Sequence, residues 1–252
     1  MSASDIWSAC LNTASPSLLT GRVFRVVESQ EKVATNELVE TLAEQALLEE
    51  MLDTTKPVIP RGAQDFSYLL FTPFRYPPLK YGSRFGRRFE PSLFYGSRTL
   101  ETALAETAYY RLHFWFDMSE PPPIGKLSTQ HTAFTVEINT HNALKLQREP
   151  FVKYEASLTI KSSYEQTQAL GTMMRENNID AFEYTSARDN KKGLNVGLFS
   201  SAAFANKKEH SVKSVLCSTQ DKGVEFLDDD GQIYRYYYDD YLDNGIFPSL
   251  ST

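Results

Sequence analysis

The chain has 252 residues, of which 41% are hydrophobic and 23% charged, with a net charge of −6. Those proportions suit an ordinary globular protein that buries a core without disulfides or metals. The acid balance, with a pI near 5.3, excludes a general affinity for nucleic acid, which needs a cationic surface. Cys10 and Cys217 form no CxxC pair, and His113, His131, His141 and His210 are scattered. No metal site and reduced thiols are therefore expected. No apolar run reaches membrane-spanning length, and Met1 to Ser8 lack the regions of a signal peptide. The expectation is a cytoplasmic protein without membrane contact.

In chain order, residues 1–60 read as a mainly helical extension and 61–252 as the main domain. Val23 to Val27 suggest a strand. Asn36 to Leu52 suggest a packing helix, with Asn36 as cap and Leu38, Leu42, Ala46 and Met51 at near-helical spacing. Residues 56–92 carry Pro57, Pro60, Pro73, Pro77, Pro78 and Pro91, which rule out a long regular helix. Their aromatic content is too high for a disordered linker, so an ordered, extended lining is expected. A short strand ends at Gly96, and a helix follows from Arg98 to His113, capped by Ser97 or Thr99. Residues 133–138 alternate like a strand. Ser162 with Glu165 suggests a capping box for a helix to Glu176. Short strands are expected at 181–184, 194–199 and 212–217, and a hairpin at 223–227 and 232–238 around Asp228 to Gly231. Helices and strands mix without βαβ alternation, which points to an α+β fold. No GxGxxG or GxxxxGK[ST] is present, so a nucleotide would not sit in a Rossmann or P-loop cradle.

Chemistry concentrates in three places. On a helical wheel of the segment after Tyr95, Leu100, Leu104, Thr107, Ala108, Arg111 and Leu112 share the buried side. Glu106 points the other way, near Thr99, Thr102, Tyr110 and His113, with Tyr109 at the margin. One carboxylate among hydroxyls and rings suits a cleft wall, although an exposed helix glutamate gives the same pattern. Arg84 to Arg88 interleave with Gly82, Ser83 and Gly86. This is either a solvated loop or a segment whose glycines and guanidinium forks fit a pyrophosphate. Ser186 ends an apolar strand, where serine is commonly a turn former.

Taken together, Gly82-Ser83-Arg84-Phe85, Leu93-Phe94-Tyr95, Ala103-Leu104-Ala105-Glu106 and Tyr184-Thr185-Ser186, with Glu106 eleven residues after Tyr95, resemble the RES domain family. The resemblance covers roughly residues 62–220. It implies an ADP-ribosyltransferase-like core, a split mixed or antiparallel sheet with flanking helices. It implies NAD⁺ as substrate, cleaved at the nicotinamide–ribose bond by hydrolysis or, with inorganic phosphate as co-substrate, by phosphorolysis. The implied setting is a toxin–antitoxin module with an Xre-type, helix-turn-helix antitoxin as partner, and a homodimer stays open as an assembly. By position, Glu106, Arg84, Tyr95 and Ser186 match the catalytic set, and Arg75, Tyr76 and Asn195 become further NAD⁺ contacts. Two alternatives stand beside it: a mono-ADP-ribosyltransferase acting on a protein, and a non-catalytic interaction module on the same scaffold.

Overall fold

The computed structural model describes residues 3–29 and 39–248. The strand expected at 23–27 is far longer. β1 spans Ser17–Glu28 and pairs antiparallel with β3, Leu127–Lys145, from Ser17↔Ala143 to Glu28↔His131. Only the apolar centre of each strand shows in the sequence pattern. The polar ends are held by the ladder itself, which satisfies backbone groups whatever the side chain. The other strands are β2 (Phe94–Ser97), β4 (Ala181–Thr185), β5 (Leu194–Leu198), β6 (Ser211–Gln220), β7 (Gly223–Asp228) and β8 (Ile233–Tyr237).

The eight strands lie in the order β1-β2-β5-β4-β3-β6-β7-β8, and β1 also pairs with β3. Five strands therefore close on themselves, and β6, β7 and β8 continue from β3 as an open antiparallel extension. Neighbours are antiparallel except β3 and β4. Every strand of the closed part contributes to one core: Leu19 and Val23, Phe94, Val136 and Ile138, Ala181, Val196 and Leu198. Burying each such side chain stabilises the fold by roughly 1.5–3 kcal/mol.

This closure ties the segment read as an extension into the main sheet. β1 belongs to the sheet, and α1 (Ala3–Thr13) sinks Trp7 and Cys10 into a core with Leu170 and Phe182. The segment is integral because its strand supplies the pairing that closes the sheet. α2 (Leu42–Thr55) begins on a reciprocal cap: Thr41 Oγ1 accepts from Glu44 N at 3.2 Å, and Glu44 Oε2 accepts from Thr41 N at 3.2 Å. The cap expected at Asn36 lies outside the described residues. Leu42, Leu47 and Met51 of this helix are exposed, so it is not the packing helix its spacing suggests.

In the Pro-rich stretch one short helix forms, α3 (Tyr68–Arg75), with Pro73 inside it. The remaining helices are α4 (Leu100–Asp117), α5 (Glu155–Leu158) and α6 (Glu165–Glu176). The capping box expected from Ser162 and Glu165 does not form; the cap position is Tyr164, and Ser163 Oγ accepts from Glu165 N at 3.3 Å. Among the described residues no helix is long and apolar enough to cross a membrane.

His131, buried on β3 beside Phe226, is pushed down to about 4 by its burial and then by Arg111. An unfolded histidine titrates near 6.5. The unfolded chain therefore takes up this proton first as pH falls, and stability present above pH 6.5 is lost on the way down to 4. Urea denaturation at pH 7.5 and 4.5 should show this loss reduced by roughly 2–3 kcal/mol in His131→Gln. An equal loss in both proteins would remove His131 as its source.

Candidate active site

α4 is capped by Thr99, whose backbone is extended and whose Oγ1 accepts from Thr102 N at 3.2 Å. One face of the helix, Leu104, Ala108 and Leu112, packs on Val215, Cys217 and Phe226. Tyr109, placed at the margin by the wheel, is fully buried; its hydroxyl donates to Pro248 O at 2.9 Å. The packed face turns Glu106 toward a cavity of about 260 Å³ between α4, β1, β2 and the Arg84 loop.

Two side chains fix the carboxylate. Glu106 Oε1 accepts from Ser186 Oγ at 2.6 Å and from Asn195 Nδ2 at 2.5 Å. Each donor is itself oriented. Ser186 Oγ accepts backbone N–H bonds from Arg188 (3.1 Å) and Asp189 (3.0 Å), which leaves its own proton for Glu106. Asn195 Oδ1 accepts from Ser97 Oγ at 2.7 Å, which turns its amide nitrogen to the carboxylate. The Ser186 turn is latched to the start of α4 by Thr102 Oγ1, which donates to Asp189 Oδ2 at 2.8 Å. A network of this kind holds a carboxylate in one geometry and leaves its second oxygen available to a ligand.

The Arg84 loop closes another wall. Phe85 is buried against Phe182 and Tyr184, with ring centroids 4.6 and 4.8 Å apart. The Tyr95 hydroxyl accepts from Phe85 N at 3.0 Å and meets Ser83 Oγ at 3.0 Å. Burial pushes that phenol up to about 12, so it is neutral at physiological pH. The Arg84 guanidinium lies 4.9 Å from the Tyr164 ring and donates through Nη1 to Ile160 O at 2.9 Å. Its Nη2 is buried without a partner.

A second arginine, Arg25 of β1, lines the same cavity. Its Nη1 donates to Tyr95 O at 2.8 Å, and its buried Nε has no partner. Burial lowers it to about 10, which leaves it cationic at neutral pH. Arg84, buried, and Arg25, half-buried, each keep an unfilled donor in the lining that holds the fixed carboxylate, an arrangement able to take an anionic ligand.

The model of the RES domain family matches residues 59–218. The chain belongs to the RES domain family. Its RES domain holds Arg84, Tyr95, Glu106, Ser186 and Asn195, whereas β1 and Arg25 lie outside the matched span. Among solved structures, a chain of the M. tuberculosis MbcT–MbcA toxin–antitoxin complex is similar at 8% identity. The match covers 83% of this chain and 90% of that one, with a TM-score of 0.47. Curated protein sequences return no match.

The RES domain brings Glu106, Arg84, Tyr95 and Asn195 to one cavity, with Ser186 bonded to the carboxylate. It does not bring Arg75 and Tyr76 there. Arg75 Nε donates to Pro57 O at 2.5 Å, and Tyr76 O accepts from Ser92 Oγ at 2.7 Å. Both residues end α3, which packs away from the cavity beside Phe204 and β2. A further arginine of the cavity is Arg25, 59 residues before Arg84. Its one signal in the sequence is a cation within the apolar run Val23 to Val27. Tyr164 and Tyr184 were likewise missed as lining residues. Tyr110, seen on the wheel, lies against Tyr164, which raises its phenol.

Proposed function

We propose that this RES domain cleaves the nicotinamide–ribose bond of NAD⁺ and acts as the toxin of a toxin–antitoxin pair. The observation that carries the reading is the Glu106 carboxylate, fixed by Ser186 and Asn195 in a cavity with unfilled donors on Arg25 and Arg84. Arg84 and Arg25 would hold the pyrophosphate, and Tyr95 would pack against nicotinamide or its ribose. The C1′–N bond breaks with its electron pair going to nicotinamide, which leaves neutral. Positive charge then develops on the ribose, as in glycoside hydrolysis. Glu106 would stabilise that charge, and its fixed position would avoid reorganisation during the reaction. The acceptor, water or inorganic phosphate, bonds to C1′ and gives up a proton to solvent. The products are ADP-ribose or ADP-ribose-1″-phosphate.

Purified protein incubated with NAD⁺, with and without inorganic phosphate, should release nicotinamide. Mass spectrometry then reads the acceptor: ADP-ribose-1″-phosphate only with phosphate identifies phosphorolysis, and ADP-ribose in both arms identifies hydrolysis. Labelled ADP-ribose attached to lysate protein, with no free product, would overturn both in favour of a protein transferase. An Xre-type antitoxin is the partner this reading calls for, because a chain that drains NAD⁺ must be held in check where it is made.

A further inference from the structure

The Glu106 cavity does not end at α4. A second groove of about 580 Å³ continues from it, and Val26, Thr107 and Tyr110 line both. The first cavity alone, at about 260 Å³, is smaller than the roughly 300–1,000 Å³ of sites that enclose a drug-sized ligand. A dinucleotide bound with its reacting ribose at Glu106 must extend beyond it. The groove supplies the two chemistries that the other nucleotide carries.

The first is a guanidinium fork. Arg111 is 7% exposed and lines the groove. Its Nη1 donates to Glu28 Oε2 at 2.9 Å, while Nε and Nη2 are buried without partners. An arginine edge with both donors unfilled can pair with two oxygens of a phosphate. The second is a flat apolar face. Phe114, 52% exposed, stands in the same groove with its ring 5.3 Å from the Arg111 guanidinium carbon. A base stacks on such a ring whatever its hydrogen-bonding edge. A free phosphate would use Arg111 and leave Phe114 idle.

We infer that this groove binds the adenylate half of the dinucleotide, with Arg111 on the adenosine-side phosphate and Phe114 under the base. The inference rests on the reading of the Glu106 cavity as an NAD⁺ site. It adds a recognition element on α4 beyond the residues that handle the reacting ribose.

Calorimetry of the full chain with AMP tests it without turnover. Wild type and Glu106→Gln should bind AMP alike, and Phe114→Ala should bind it about 10-fold more weakly. Arg111→Leu should weaken it as well, and its thermal transition shows whether the fold survives; Phe114 is exposed enough that its variant folds in any case. In turnover, Phe114→Ala should lower kcat/KM for NAD⁺ about 10-fold and leave that for nicotinamide mononucleotide unchanged. AMP affinity indifferent to Phe114, or equal losses on both substrates, would overturn the groove. So would a change confined to the dependence on inorganic phosphate, which would make Arg111 a free-phosphate site. An inert wild type that still binds AMP through Phe114 would overturn the cleavage reading alone.

Discussion

Glu106→Gln should lower kcat/KM for NAD⁺ by at least about 10²–10³-fold, while the protein stays folded and still binds NAD⁺. The size follows from the cost of deleting one group that stabilises charge in a transition state. The folding forecast follows from the hydrogen bonds. The glutamine carbonyl can still accept from Ser186 Oγ and Asn195 Nδ2, now at 2.6 and 2.5 Å. What the amide lacks is the negative charge that a developing ribosyl cation needs. Measured by nicotinamide release and calorimetry, the defect should fall on kcat with NAD⁺ affinity nearly kept. A loss of affinity with unchanged kcat would make Glu106 a binding residue instead.

Gly171→Ala should destabilise the protein by about 3 kcal/mol or more, against the usual sign for a helix. On an open helix face the same change gains up to about 1 kcal/mol. Here Gly171 lies on α6 where the Arg84 loop crosses it, and an added Cβ would run into the Phe85 carbonyl oxygen. That obstacle is backbone and cannot swing aside as a side chain would. Either α6 or the loop must move, and Arg84 moves with Phe85. A thermal transition lowered by roughly 6–12 °C, together with weaker NAD⁺ binding, is the expected result. A transition at or above that of the wild type would show that the contact is slack.

Much of the site was legible because its signals are local. The Thr99 cap, the buried stripe of α4 and the single carboxylate opposite it all lie within two dozen residues. Ser186 and Arg84 became readable through their order along the chain. The remainder depends on pairings that no window contains. Arg25 faces the cavity because β1 pairs with β3, where Arg25 stands opposite Phe134. Nothing near Arg25 in sequence signals that partner. Asn195 shows the same limit: its amide is turned by Ser97, 98 residues away. β3 runs Leu127–Lys145, but the sequence alternates in apolar character only over residues 133–138, and residues 131–136 are buried on both faces, so the pattern understates the strand. The α2 residues fail in the opposite direction. Their spacing suggests packing, yet among the described residues Leu42 and Met51 stay exposed.

In the proposed reaction this RES domain breaks the nicotinamide–ribose bond at Glu106. Proton NMR of NAD⁺ during incubation with the purified chain tests it most directly. The anomeric signal of the nicotinamide riboside should decay and free nicotinamide grow at an equal rate. That rate should scale with wild-type protein and vanish in Glu106→Gln. An NAD⁺ spectrum unchanged by wild type, with and without inorganic phosphate, would contradict it.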